Sequence, residues 1–152
     1  MKHRTWIAVL VLLGLATTAG CDTMEQIASG PKDVTIQVNA PLHLTLKQEF
    51  VVEVRVQNTS AQSQRLDSID VGDRYLQGVA IQSTEPAFKQ SMHVPLVNMQ
   101  SYEFGQPIAA GGEVVVKFNA VAVKAGDYSA TIDICINSGS SCSSQPIRAV
   151  VE

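Results

Sequence analysis

Beyond residue 6 the chain has no tryptophan, and Phe, Trp and Tyr together make up only 5% of its 152 residues. Charged residues reach just 16%, and there are three histidines. Each shortage excludes something. Taking Lys2 and Arg4, which lie in the first twenty residues, from the 11 basic side chains leaves 9 against 14 acidic ones, a net charge of −5. Nucleic acid needs a concentrated basic face to meet its phosphates, so it is excluded as a partner. No basic run suits an anionic lipid headgroup either. The G-x-S-x-G elbow of α/β-hydrolases is missing. "AAGGE" lacks the Lys-Ser or Lys-Thr that completes a phosphate-cradling loop. Outside the N-terminal segment only His43 and His93 remain. In "PLHLTL", His43 alternates against Leu42, Leu44 and Leu46, which puts it on a wet face. A Ser-His-Asp site needs three converging groups, and no spacing here argues for one. Paired glycosidase carboxylates converge only in the fold, so a hydrolase stays open as the lesser alternative. The expectation is a non-enzyme with no cofactor.

What is present begins at the N-terminus. Lys2 and Arg4 precede the apolar run WIAVLVLLGLA, from Trp6 to Ala16. Its length suits the apolar core of a signal peptide and falls short of the roughly 20 residues that span a bilayer. Thr17, Thr18, Ala19 and Gly20 then lead to Cys21. The segment resembles a bacterial lipoprotein signal. Ala19, Gly20 and Cys21 match the end of the lipobox, and Thr18 stands where Leu is usual. The resemblance implies that residues 1–20 are cleaved and that Cys21 is acylated and becomes the mature N-terminus. Buried methylenes contribute about 0.8 kcal/mol each, and two or more chains make a stable membrane anchor. An ordinary secretory peptide, cut near Ala19 or Gly20 to leave a free thiol, is the alternative. Asp22 resembles the inner-membrane retention signal of Gram-negative lipoproteins. The expected location is therefore exported and lipid-anchored, with the periplasmic face of the inner membrane favoured.

With Cys21 assigned to lipid, Cys135 and Cys142 remain. "CINSGSSC" reads as a hairpin closed by a disulfide, whose loop entropy contributes roughly 2.5 kcal/mol. Such a bond persists in an oxidising compartment. A metal pair is the rival reading, but two cysteines with no nearby histidine fall short of zinc's four ligands.

Residues 21–32 lack alternation and contain Ser29, Gly30 and Pro31, so they read as a tether. From Asp33 the period becomes two. Val34, Ile36 and Val38 alternate with polar residues. Phe50, Val52, Val54 and Val56 alternate with Val51, Glu53, Arg55 and Gln57, then Val114, Val116, Phe118 and Ala120 with Glu113, Val115, Lys117 and Asn119, then Tyr128, Ala130, Ile132, Ile134 and Ile136 with Ser129, Thr131, Asp133 and Cys135, and Ile147, Ala149 and Val151 finish the chain. These are half-buried strands. Turn residues separate them, at Asn58-Thr59-Ser60, Gly72-Asp73, Gly111-Gly112, Gly126-Asp127 and Ser138-Gly139-Ser140. The pattern predicts residues 33–152 as one antiparallel sandwich. A helical turn fits only near Asp73 to Gln77. "VAIQST" and "MQSYEF" read as further strands. Between them, "EPAFKQSMHVPLVN" reads as a long loop, and long loops on sandwiches often carry function.

"PLHLTLKQEFVVEVRVQNTS" and "IAAGGEVVVKFNAVAVKAGDYSATIDI" resemble bacterial immunoglobulin-like domains of the CARDB and ASH type. The "VRVQNTS" strand end and the "AGGE" and "AGDY" turns carry the likeness. It implies an all-β, immunoglobulin-like sandwich of about seven to nine strands, usually without catalysis. Gly126 suits a positive φ. Tyr128 is expected to point inward and return its hydroxyl to a backbone carbonyl, as in a tyrosine corner.

Three constellations remain as site candidates. Met92, His93 and Met99 form a soft set suited to copper; packing under the loop is the plainer reading. Asp67, Asp70 and Asp73 in "DSIDVGD" suggest calcium, but the spacing does not match an EF-hand loop. On a strand Asp67 and Asp70 face opposite sides, and a solvated acidic turn is the plainer reading. Phe88, Met92, His93, Leu96 and Tyr102 form a possible interaction loop, since Met and aromatics concentrate in interface cores. The alternative is that they close the sandwich as private core. The expected function is a lipid-anchored, non-catalytic module that binds or scaffolds an envelope protein. A copper- or calcium-binding lipoprotein is the other reading.

Overall fold

A computed structural model describes residues 23–29, 31, 33–138 and 141–152. Cys21, Asp22 and the segment before them lie outside the described residues. The fold is an all-β sandwich of two sheets. The strands are β1 (Thr23–Ser29), β2 (Val34–Pro41), β3 (His43–Leu44), β4 (Glu49–Asn58), β5 (Gln64–Gly72), β6 (Val79–Glu85), β7 (Gln90–Val94), β8 (Met99–Ile108), β9 (Glu113–Ala122), β10 (Gly126–Ile136) and β11 (Ser141–Val151), with a single helical turn α1 (Asp73–Leu76) between β5 and β6. One sheet has the order β1-β2-β4-β9-β6 and the other β3-β11-β10-β5-β8-β7. Every pairing is antiparallel except the short β11–β3 contact.

Alternation in the sequence becomes alternation in burial. Val52, Val54 and Val56 of β4 and Val116, Phe118 and Ala120 of β9 face inward from one sheet. Ile69, Ile132, Ile134, Ile136, Ile147 and Ala149 meet them from the other. Each fully buried aliphatic side chain contributes about 1.5–3 kcal/mol, which makes this layer the main stabilising term.

Three features depart from the expectation. Among the described residues there are eleven strands, because β1 and the two-residue β3 add to the edges and the segment read as a long loop is itself partly strand. Thr23–Ser29, read as tether, pairs with β2 over seven registered positions from Thr23↔Pro41 to Ser29↔Thr35. Asp67 and Asp70 do not obey strand parity, because the β5–β8 register shifts between Leu66 and Ser68. A bulge inserts one residue and re-aims its neighbours. As a result Asp67 joins Ser68 on the outer face of the six-stranded sheet.

The two ends of the sandwich differ. At the proximal end, where β1 begins, lie the Thr45–Gln48 loop, α1, the Pro95–Asn98 turn and Val123–Ala125. At the distal end lie Thr59–Ser63, Ala109–Gly112 and Asn137–Ser138. The distal loops are clipped by Asn58, which is fully buried. Its Nδ2 donates to the carbonyl oxygens of Gln62 (2.7 Å), Ile108 (3.1 Å) and Ala109 (3.0 Å). Its Oδ1 accepts from the Ser60 amide and hydroxyl.

At the proximal end Gly126 has φ +147, and the Tyr128 hydroxyl donates to the Ala125 carbonyl at 3.0 Å, as the Gly-Asp-Tyr turn led us to expect. Tyr75 of α1 is buried, and its hydroxyl meets no hydrogen-bond partner among the described residues. Burial pushes this phenol well above its ordinary 10.0. Tyr75→Phe is expected to stabilise the fold by about 1 kcal/mol, since it removes a desolvated, unpaired hydroxyl. The pH dependence has a definite sign. Tyr75 stays neutral in the fold when its unfolded counterpart ionises, so stability present below about pH 10 is lost as pH rises above it. Urea unfolding on both sides of that pH should show a shallower alkaline loss in the Phe variant.

Candidate functional site

One open edge of the sandwich lies between β6 and β7, each the last strand of its own sheet. The chain crosses from one sheet to the other through residues 86–89. Thr84 holds the crossing. Its hydroxyl donates to the Pro86 carbonyl at 2.8 Å and accepts from the Phe88 amide at 3.1 Å. The Lys89 amide then donates to the Glu103 carbonyl, and β7 starts. What reads in sequence as a long loop is therefore largely a hairpin, β7–β8, paired from Gln90↔Glu103 to Val94↔Met99. The sequence hides it because β7 buries nothing on either face. Gln90 to His93 are all exposed, so no alternation in hydropathy marks the strand. The tip closes at Pro95–Asn98. Asn98 has φ 53 there, and its carbonyl accepts from the Asp73 amide.

The five residues of the expected interaction loop divide. Tyr102 is core: it stacks edge-on against Phe88 (5.4 Å) and Phe118 (5.5 Å). Its burial raises the phenol's pKa, so it stays neutral. Phe88 is half-buried, while Met92, His93 and Leu96 are exposed, Leu96 at 93%. Beside the two aromatics runs a notch of about 450 Å³, lined by Leu76, Ile81, Phe88, Ser91, Gln100 and Tyr102. Among the described residues β7, along its rim, pairs with β8 alone, and its other side presents unpaired strand backbone.

The copper trio does not converge. Register places Met92 opposite Ser101 and Met99 opposite Val94, on one face of the hairpin. His93 falls on the other face, where its Nε2 lies 2.8 Å from Asp73 Oδ2. The acidic trio disperses as well. Asp67 pairs with Arg65 and accepts from the Ser138 amide, Asp70 accepts from the Ser101 hydroxyl at 2.6 Å, and Asp73 holds His93. Among the described residues no three His, Cys, Asp or Glu side chains gather as a metal site. His43 on β3 and His93 on β7 occupy opposite edges of the six-stranded sheet. The Asp73–His93 pair was not foreseen, because it joins the α1 turn to a strand twenty residues later.

Cys135 and Cys142 form the disulfide, as registered partners across β10–β11 with Cα atoms 4.0 Å apart. It lies on the outer face of its sheet, where Cys135 Sγ is 3.9 Å from Asp70 Oδ2. A polar groove of about 380 Å³ lies on the same face, bordered by Arg65, Asp67, Lys89 and Glu103. Its charges are mixed in sign, and no aromatic side chain lines it.

No family model and no curated protein matches the chain. Among solved structures it is similar to the cupredoxin domain of amoB from Nitrosocaldus yellowstonii, at 21% identity and TM-score 0.44. That match covers 68% of this chain, which spans 56% of the other. It is also similar to a cohesin module of a family 33 glycoside hydrolase from Clostridium perfringens, at 12% identity and TM-score 0.48, over 82% of this chain and all of that one. A third is the Coh-OlpC–Doc435 cohesin–dockerin complex from Clostridium thermocellum, at 12% identity and TM-score 0.39, over 84% and 94% of the respective chains. What these proteins bind stays with them.

Proposed function

We propose that the chain is an exported, lipid-anchored β-sandwich that binds a protein partner in the bacterial envelope and performs no catalysis. In this reading Cys21 carries the acyl chains, Asp22 keeps the protein at the inner membrane, and the sandwich presents its open edge to the partner. One observation carries the binding assignment. The free side of β7 runs beside an apolar notch floored by Tyr102 and Phe88, so one extended segment could add a strand and seat a side chain together. Backbone pairing supplies affinity in this mode and the notch supplies selectivity. The copper and carboxylate sets are dispersed among the described residues, which argues against the metal reading.

The test is crosslinking of the full chain in its native envelope, followed by mass spectrometry. Ser91→Arg puts a long cation into the notch from an exposed position. It is expected to lower the yield of the crosslinked partner about tenfold, the order expected for loss of a central contact. Ala61→Arg at the distal end should leave the yield unchanged. A partner captured equally by both variants rules out the β7 edge. Absence of any specific adduct rules out the binding module.

A further inference from the structure

The large apolar side chains left exposed among the described residues are Leu46, Val51, Met92, Leu96, Val97 and Val123. Four of the six (Leu46, Leu96, Val97 and Val123) sit on the loops of the proximal end. They occupy three separate turns, yet a chain of backbone hydrogen bonds ties those turns into one platform. The Asp73 amide donates to the Asn98 carbonyl, the Val123 amide to the Gly78 carbonyl, and the Lys47 amide to the Ala122 carbonyl. The distal loops present Thr59, Ser60, Gln62, Ser63, Gly111, Asn137 and Ser138 instead, which are small or polar.

The start of β1 falls at this same end. Thr23 pairs with Pro41, the last residue of β2, and Cys21 precedes it by two residues. Two extended residues reach at most about 7 Å. An acyl group on Cys21, as proposed above, would therefore keep the bilayer near the proximal end.

We infer that the proximal end is a membrane-seating surface, with Leu46, Leu96, Val97 and Val123 dipping into the lipid interface while the distal end points away. This rests on the acylation of Cys21 proposed above. Lys47 and Lys124 directly follow Leu46 and Val123, so their stems can lie along the apolar tips with the ammonium groups at headgroup level. Counted with these two lysines and with His93 neutral, charge at this end balances, because the four cations Lys47, Lys124, Arg74 and Arg148 stand against the four carboxylates Asp73, Asp127, Glu49 and Glu152. Arg74 and Arg148 stand near Asp127, His93 faces Asp73, and Glu49 and Glu152 complete the set. The seat is accordingly apolar in character and suits a zwitterionic bilayer. Seated this way, the β6–β7 notch opens sideways, next to the membrane.

The experiment reconstitutes the full chain, purified from bacterial membranes, into phosphatidylcholine vesicles with brominated acyl chains. Intact mass reports whether Cys21 is acylated and whether Trp6 is gone. Leu96→Trp, Val123→Trp and Ala61→Trp are compared by fluorescence, with any Trp6 signal subtracted. Bromolipid is expected to quench the two proximal tryptophans roughly threefold more than the distal one, since interfacial tryptophan sits at headgroup depth. Equal quenching with Cys21 acylated overturns the seat and leaves the anchor. A bare Cys21 with no quenching at either end overturns both. Proximal quenching with a bare Cys21 keeps the seat and removes the anchor. Proximal tryptophans that lipid does not quench but that crosslink to a protein overturn the bilayer as occupant.

Discussion

Asn58→Asp is expected to destabilise the fold by about 3–4 kcal/mol at neutral pH, a large value for one isosteric change. The side chain keeps its shape and keeps the two donors from Ser60. It loses the amide that donates to Gln62, Ile108 and Ala109 and turns a carboxylate oxygen toward those three carbonyls. A fully desolvated, half-paired charge costs several times a neutral hydrogen bond. The new carboxyl escapes part of the penalty by taking up a proton, so its pKa in the fold rises. Stability is then present below the ordinary aspartate value of about 3.9 and lost as pH rises through the raised one. The variant should therefore lie closer to the wild type at pH 4 than at pH 7. Denaturant midpoints at the two pH values, with unchanged m-values, check this. A variant equally damaged at both would mean that the loops are held by something other than this amide.

The second large effect is steric. Gly78→Ala places a methyl 2.1 Å from Cδ2 and 2.2 Å from Cε2 of Tyr128. The backbone cannot retreat, because the Gly78 amide donates to Tyr75 and its carbonyl accepts from Val123. The ring must move instead, and with it goes the hydroxyl bond to Ala125. A loss of about 3 kcal/mol is expected, at the upper end of overpacking penalties. Tyr128→Ala in the Gly78→Ala background should then cost at least 1 kcal/mol less than in the wild type, roughly the coupling expected for residues in contact. Thermal unfolding of the four proteins closes the cycle, and additive losses would disprove the clash.

The strands that face both core and solvent were legible because burial follows sequence parity there. In β4, β9, β10 and β11 the residues read as the inner face are buried, from Val52 and Phe118 to Ile134 and Val151, with Phe50, Val114 and Ala130 half-buried at its margin. The Cys135–Cys142 hairpin and the Tyr128 corner were equally plain, since both are local. Legibility failed where a strand has no dry face or where parity breaks. Nothing in the composition of β7 separates it from a loop, and its only mark is its pairing with β8. In β5 the bulge after Leu66 shifts the register, which a two-residue period cannot express. The notch escaped for a different reason. Leu76, Ile81, Phe88 and Tyr102 come from four elements, and only the crossing between sheets brings them together.

The pairing of β1 with β2 has a mechanical consequence. A pull on the chain ahead of Thr23, directed away from the proximal end and resisted by the sandwich, acts along the axis of β1. Antiparallel ladder bonds lie across the strands, so such a load is shared by seven registered positions at once. The strand is sheared as a unit rather than peeled open from one terminus, a geometry that resists tension applied along its length.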